Sequence, residues 1–424
     1  MASVFERSGY LQRIRLFSPN AKKLILSNTI GSFGWGVQSA IFNIYLLTLG
    51  YSNTFLGGVM GLGAFSMAIC SLLVGPFVAR VGTKNALILG SLIHLTISIP
   101  RVLTPFPEIF VVGAVLSGIS SAMGNVAFAP FIAKSSTSYE RTHLFGTNAL
   151  LAILSNFAGS TLAGFLPGWA SLVFLLPIDS APSFQLALIG WILPIILNII
   201  PILAIREFED LAATETLDKA ASPRSSAPEP KGRKELFILF AIPTALIGLG
   251  AGFVVPFLSV FFWDFYDLPT PLVGFIQGLG QLTVATGSFI SPGLSTRLGK
   301  VRTVVLCQTL SLPFLFLIAV LVNPVVAIAC FLLRGALMNM TGPVDSGFKM
   351  EMVPHRWRAY LTSVNSFAWN FPWAISTQIT GPLFDADLYL LPFWFTLACY
   401  SASTVLYAVF FRSSEKRLAE ELAS

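Results

Sequence analysis

Long apolar runs fill most of this 424-residue sequence and recur at short intervals. A bilayer core needs about 20 mostly apolar residues per helix, and an unpaired backbone group in lipid is costly. The pattern therefore predicts an all-α integral membrane protein. The proline-bounded stretch 167–182 is interpreted as an outer interfacial loop. Twelve transmembrane helices are predicted, at residues 22–48, 53–78, 84–103, 108–132, 142–166, 183–205, 235–262, 270–295, 302–322, 325–349, 358–383 and 389–411.

Charge is too scarce for a soluble surface. Only 11% of the residues are charged, whereas soluble domains average about 25%.

The four cysteines, Cys70, Cys307, Cys330 and Cys399, all lie inside apolar runs and form no C-x-x-C pair. We interpret them as small buried hydrophobes, and we expect no metal, no cofactor and no catalytic residue.

The lysines and arginines lie almost entirely on one side of the membrane. That side receives both tails and the even-to-odd helix connections, while the other side has only Arg101. The positive-inside rule then predicts a multi-pass protein of the cell (inner or plasma) membrane with both termini in the cytoplasm. The basic pI of about 9.2 follows from this topology and indicates no nucleic-acid partner.

The one long hydrophilic segment, residues 206–234, divides the chain near its midpoint. It is charged, rich in Ala, Ser and Pro, and poor in aromatic residues, which is typical of a flexible linker. We predict an N-terminal six-helix half at 1–205 and a C-terminal six-helix half with a short tail at 235–424, joined by a cytoplasmic linker.

The two halves share an internal repeat. A single shift of 217 residues aligns more than a hundred positions without a gap, including Gly61 with Gly278, Arg80 with Arg297, Gly82 with Gly299, Gly118 with Gly335, and Arg141 with Arg358. Because six helices, a cytoplasmic linker and six more helices share one orientation, we expect parallel repeats related by an axis along the membrane normal.

The connection after helix 2 carries a family signature. It reads Gly75-Pro-Phe-Val-Ala-Arg80-Val-Gly82-Thr-Lys84 and resembles the loop motif G-x-x-x-D-[RK]-x-G-[RK]-[RK] of major facilitator transporters. The connection after helix 8 is similar, with Arg297, Gly299 and Lys300. Gly82 and Gly299 are predicted to form turns that a larger side chain would not tolerate. The family's loop acid, which helps to latch the cytoplasmic gate, is replaced by Ala79 and Thr296.

The resemblance implies that helices 1, 4, 7 and 10 line a central cavity. Arg334 lies about ten residues into helix 10, roughly 15 Å deep, and an intramembrane charge is a functional candidate because it is expensive to keep. Asp345 is in the same helix but about 16 Å further along, too far for a salt bridge. Arg334 is therefore expected to meet either a ligand anion or neutral groups of neighbouring helices.

Neutral polar and aromatic residues complete the predicted substrate-binding set. Taken individually, each is better explained as a hydrogen-bonding contact between helices, whereas together they indicate a pocket. The candidates besides Arg334 are Asn28, Trp35 and Gln38 in helix 1, Asn125 in helix 4, Gln277 and Gln281 in helix 8, Asn339 in helix 10, and Asn365 and Trp369 in helix 11.

The loop residues are the predicted gate. This set comprises Arg80, Gly82, Lys84, Arg297, Gly299 and Lys300. Asp345 is predicted to join it through an ion pair with Arg141 or Arg358. Broken helices at Pro243, Pro256, Pro343 and Pro372 are the expected hinges.

The leading interpretation is a secondary active or facilitative transporter that moves a small organic solute by rocking of the two halves. No Walker A motif is present, so ATP-driven transport is not indicated. Within this class, a polar or anionic solute competes with export of amphipathic compounds or drugs. An enzyme acting on lipid-linked substrates is the remote alternative. The expected partners are a small-molecule substrate and the lipid bilayer, with coupling to a proton or ion left open, and the expected state is a monomer.

Overall fold

The fold is taken from a computed structural model that describes residues 17–134, 138–205, 233–354 and 357–423. Within these ranges the chain is almost entirely helical and contains no strand. The helices are α1 (Pro19–Thr48), α2 (Asn53–Val81), α3 (Thr83–Leu103), α4 (Pro107–Lys134), α5 (Ser138–Phe174), α6 (Ala181–Leu203), α7 (233–265), α8 (Thr270–Leu298), α9 (Lys300–Val320), α10 (Pro324–Met352), α11 (Arg358–Asp385) and α12 (Leu391–Ala423).

Two of the predicted hinges are breaks in the helices. The regular part of α7 ends at Val254 and continues through a 3₁₀ turn that contains Pro256. In α10 the regular helix ends at Asn339, and a second segment begins at Thr341, two residues before Pro343. Proline lacks the N–H that the preceding turn requires, which accounts for interruptions at these positions. At Pro243 and Pro372 the helices continue without a break.

The interpretation of residues 167–182 as a loop is wrong for its first half. Helix α5 continues through Pro167 to Phe174, and the connection to α6 is limited to residues 175–180. A proline inside a membrane helix is tolerated where neighbouring groups satisfy the freed carbonyl. The predicted linker 206–234, apart from Arg233 and Lys234 at the start of α7, lies outside the described residues.

Ten of the described helices are long and apolar enough to cross a membrane. The two others, α1 and α11, are 30 and 28 residues long but contain several Asn, Gln, Ser and Thr residues. These side chains lower the hydropathy of both helices. Each of the two packs extensively on other helices, α1 against α5 and α6, and α11 against α2 and α7, where polar side chains can find partners.

The repeat extends to the backbone. Helices α2, α3 and α4 begin at Asn53, Thr83 and Pro107, and α8, α9 and α10 begin 217 residues later in each case. Gly82 has a φ of +87° and Gly299 a φ of +89°, which are backbone conformations that L side chains rarely adopt. The predicted requirement for glycine in both loops is confirmed.

Helices α1–α6 pack among themselves, as do α7–α12, and the two groups meet along α2–α11 and α5–α8. The hydrogen bonds described between the groups lie at the end opposite Gly82 and Gly299. There the carboxylate of Asp385 accepts bonds of 2.7 and 2.9 Å from the backbone N–H groups of Asn53 and Thr54. Asn43 donates to the carbonyl of Pro256 at 2.8 Å. The two groups are therefore held together at this end.

Candidate functional site

A cavity of about 370 Å³ lies among the helices of the second group. Its described lining residues lie on α7, α8, α9, α10, α11 and α12, and no described residue of the first group is among them. The volume is within the range of small-molecule sites, which run from roughly 300 to 1,000 Å³. The cavity therefore has room for a metabolite-sized ligand.

Arg334 lies in the cavity wall at the middle of α10. The residue is only 5% exposed, and its Nη2 donates to the hydroxyl of Tyr400 at 3.1 Å. The guanidinium also lies 5.4 Å from the centre of the Tyr400 ring. Its Nε has no hydrogen-bond partner, and no carboxylate among the described residues forms an ion pair with it. A buried cation with unfilled donors is costly and is suited to receive an anion.

Four more of the predicted residues line the same cavity, namely Gln277, Gln281, Asn339 and Trp369. The indole of Trp369 lies 6.0 Å from that of Trp373, and the two rings are tilted by 32°. The amide of Asn339 donates to the carbonyl of Gly335 at 2.9 Å, which leaves its oxygen available. The cavity thus combines one unpaired guanidinium, amide groups and an aromatic wall.

Asp345 and Arg358 each have a described partner other than the predicted one, while the predicted pairing of Asp345 with Arg141 stays a prediction. Asp345 forms an ion pair of 2.8 Å with Lys349, one helical turn away, and accepts a hydrogen bond from Tyr407 at 2.8 Å. The Arg358 side chain donates instead to the carbonyl of Val353. The side chain of Arg141 lies outside the described residues. Asp345 and Lys349 are four residues apart, so they face each other on α10. Their ion pair forms within one helix and needs no contact with Arg358 on α11.

The remaining predicted residues are not part of this cavity. Trp35, 57% exposed, and Gln38 line a much smaller cavity of about 50 Å³ between α1, α3 and α6. Asn28 donates to Asn148 at 3.0 Å, which is a contact between α1 and α5. Asn125 is exposed on α4, and the Asn365 amide oxygen is buried without a partner. For Asn28 the structure supports the helix-packing interpretation.

The predicted gate residues of the two loops lie at the Gly82 and Gly299 end of the protein. No hydrogen bond between the two groups of helices is described at that end. Arg80 and Arg297 are exposed, and Lys84 is partly exposed. Lys300 forms an ion pair with Glu351 at the end of α10, within the second group. In the part of the chain that the structure describes, neither Arg80 nor Arg297 forms an ion pair across the groups.

Tyr400, Gln308 and Lys349 are among the residues of the cavity wall that were not predicted as site residues. Tyr400 and Gln308 lie in apolar runs of α12 and α9, and nothing in their sequence context distinguishes them. Lys349 was counted with the cytoplasmic charges, but it is 6% exposed and donates to Thr244 at 2.9 Å. The spacing of Asp345 and Lys349 by four residues was the available signal, since it places both on one helix face.

The sequence profile of the Major Facilitator Superfamily matches residues 24–377, most of the chain. The chain belongs to this superfamily. A comparison with curated protein sequences finds no match. Members of the superfamily are transporters, and this chain is accordingly a multi-pass membrane protein that moves a solute by alternating access, and is not an enzyme.

Solved structures of transporters have the same fold. The nucleoside transporter NupG has a TM-score of 0.69 and 11% identity, and the match covers 92% of this chain and 99% of that one. A bacterial homologue of the iron transporter ferroportin in an inward-facing state has a TM-score of 0.69 and 14% identity, covering 92% and 97%. A D-xylose-proton symporter has a TM-score of 0.69 and 13% identity, covering 91% and 96%. At such low identity these similarities concern the fold alone.

Proposed function

We propose that this member of the superfamily transports a small organic solute with an anionic or strongly hydrogen-bond-accepting group, which is held by Arg334. The observation that carries the proposal is the buried guanidinium in the cavity wall, which no carboxylate among the described residues neutralises. A ligand carboxylate can accept two parallel hydrogen bonds from a guanidinium, and charge-assisted bonds of this kind are the strong ones. Gln277, Gln281 and Asn339 would bind the polar groups of the same solute.

The proposed orientation places the Gly82 and Gly299 loops, and both termini, in the cytoplasm of a cell that carries this protein in its cell membrane. It rests on the one-sided distribution of Lys and Arg. The hydrogen bonds of Asp385 and Asn43 then close the outer side, and the conformation is open toward the cytoplasm. Transport by a monomer would proceed by rocking of 1–205 against 235–424, with 206–234 as the linker.

In the opposite conformation, the proposed gate would close the cytoplasmic side. Arg80 and Arg297 are positioned near the ends of α2 and α8, where an arginine can donate to the free carbonyls at the C-terminus of a helix. This contact requires no loop acid, which suits a chain with Ala79 and Thr296 at those positions.

The test is uptake by proteoliposomes that contain purified protein. Candidate solutes are first ranked by thermal stabilisation across a metabolite and drug panel, and transport of those that stabilise is then measured with and without a pH gradient. Arg334→Gln should reduce uptake at least 100-fold, because a charge-assisted hydrogen bond in a site of low polarity is worth about 3 kcal/mol or more.

Arg302→Gln is the matched control, since it makes the same change at an exposed arginine outside the cavity wall. We expect the uptake of Arg302→Gln to be within about twofold of the wild type. The thermal stability of the two variants should be equal. Undiminished uptake by Arg334→Gln would contradict the proposal.

A second candidate, export of amphipathic compounds, is favoured by the aromatic wall of Trp369, Trp373 and Phe331. Large aromatic surfaces bind apolar bodies without demanding a particular pattern of hydrogen bonds. In the same panel, this function predicts stabilisation by uncharged amphipathic compounds that Arg334→Gln leaves unchanged.

A further inference from the structure

The charged groups of the cavity wall are unequally balanced. Arg334, Asp345 and Lys349 are the charged residues among those lining the cavity. Asp345 and Lys349 neutralise each other at 2.8 Å, whereas Arg334 has a tyrosine hydroxyl and an aromatic ring but no carboxylate. The wall therefore has a net charge of +1, and all of it is located at Arg334.

The ion pair is held in place by the surrounding helices. Lys349 donates to the hydroxyl of Thr244 on α7 at 2.9 Å and lies over the ring of Phe240 at 5.8 Å. Asp345 accepts a hydrogen bond from Tyr407 on α12 at 2.8 Å. Contacts on both sides keep the lysine with its carboxylate, so that Lys349 is not available to a second negative group of a ligand.

We infer that Asp345 determines the charge of the transported solute, and that the cavity selects organic monoanions over dianions. The inference rests on the proposed role of Arg334 and adds a residue that determines specificity. One negative group of the solute neutralises Arg334. A second negative group would find no free cation, because Asp345 neutralises Lys349, and it would remain in a site of low polarity without a counter-ion.

The apolar part of the wall suggests the body of the solute. Trp369, Trp373 and Phe331 line the same cavity as Arg334. Aromatic side chains pack against flat or branched apolar groups, so a monocarboxylate with an aromatic body suits this wall. Benzoate and terephthalate are appropriate probes because they share one ring and differ by one carboxylate.

The experiment is calorimetric titration of purified protein at pH 7.5 with this pair and with further matched pairs of mono- and dicarboxylates. The wild type should bind the monocarboxylate of a pair more tightly. Asp345→Asn leaves Lys349 unpaired and raises the net charge of the wall to +2. We expect the affinity ratio to shift toward the dicarboxylate by about fivefold, which corresponds to one added charge at roughly 15 Å with an effective dielectric constant of about 20.

The double variant D345N/K349M separates charge from shape. It removes both members of the ion pair and restores the net charge of +1, so the wild-type preference for monocarboxylates should return. Tyr407→Phe is the control, because it removes a hydrogen bond to Asp345 without changing any charge. Its affinity ratio should equal that of the wild type.

The outcomes separate this inference from the proposed function. If Arg334→Gln abolishes binding but Asp345→Asn leaves the affinity ratio unchanged, the role of Asp345 is excluded while the proposed function stands. The role of Asp345 is also excluded if D345N/K349M has the same affinity ratio as Asp345→Asn. A wild-type preference for the dicarboxylate in every pair excludes it as well. Failure of all pairs to bind the wild type contradicts the proposed function itself.

Discussion

Among the residues that the structure describes, each group of helices buries one arginine within the membrane-spanning region, and the two differ in what surrounds them. Arg101 on α3 is 3% exposed and Arg334 on α10 is 5% exposed. Arg101 donates to Ser117 at 3.0 Å and to the carbonyl of Phe110 at 3.3 Å, and it lies over the ring of Phe42, while its Nε, like that of Arg334, has no hydrogen-bond partner. Arg334 has the Tyr400 side chain and a cavity.

The internal repeat makes the comparison closer, because Ser117 occupies the position equivalent to Arg334. In the first group a serine on α4 accepts a bond from an arginine of α3, and neither residue lines either of the two described cavities. In the second group the arginine itself stands on α10 and lines the cavity. Burial of a charge therefore identifies an expensive residue, but only its neighbours show whether it has a structural or a binding role.

The strongest test of this contrast is Arg101→Gln. Loss of two charge-assisted hydrogen bonds in a buried site should lower the free energy of unfolding by about 3 kcal/mol. Binding of any solute identified in the stabilisation panel should be retained by the folded protein. Thermal unfolding in detergent and calorimetric titration measure the two effects separately. Weaker binding with unchanged stability would show that the roles of the two arginines are the reverse of those described.

A smaller effect is expected from Gly113→Ala, which tests the packing around Arg101. A methyl group at Gly113 would overlap the Arg101 guanidinium, so one of the two must move. We expect a loss of about 2 kcal/mol in the free energy of unfolding, as is usual for overpacking.

Gly124→Ala on the same helix is the control for this packing test. It adds a methyl group that meets no atom within 4 Å, so it should leave stability unchanged or raise it slightly. Equal stability of the two alanine variants would argue against tight packing around Arg101.

The smallest effect is expected at Tyr400, the one described hydrogen-bond partner of Arg334. Tyr400→Phe keeps the ring beneath the guanidinium and removes the hydroxyl. Because Arg334 would then be held less firmly in its binding orientation, we expect about fivefold weaker solute binding, equivalent to about 1 kcal/mol.

Tyr389→Phe is the matched control for Tyr400→Phe. It removes a hydroxyl that bonds to Asp264 outside the cavity, and it should not change the affinity. A similar loss of affinity in both variants would exclude a specific contribution of Tyr400.

Much of the fold was predictable because the bilayer permits few alternatives. The apolar runs, the repeat and the glycines at 82 and 299 located the helices and their connections. The errors came from proline, as at Pro167, where helix α5 continues to Phe174. A sequence shows that a proline removes a hydrogen bond but not whether neighbouring helices compensate for the loss.

The site was predictable only in part. Arg334, Gln277, Gln281, Asn339 and Trp369 line the cavity, because polar residues on interior helices tend to face interior space. Asn28 and Asn125 carry the same kind of signal and lie elsewhere. Which side of a helix faces the cavity depends on the packing of all its neighbours, and for Tyr400 no local pattern records it.

The described residues of the cavity wall all lie in helices α7–α12. This location determines which substitutions can alter the cavity. The two units are similar in sequence and backbone, but the described residues of the cavity wall all belong to the second. Part of the wall lies on α9, α10 and α12, away from the α2–α11 and α5–α8 contacts between the units. On these three helices we expect substitutions to alter the cavity without disturbing the contacts through which the two units turn against each other.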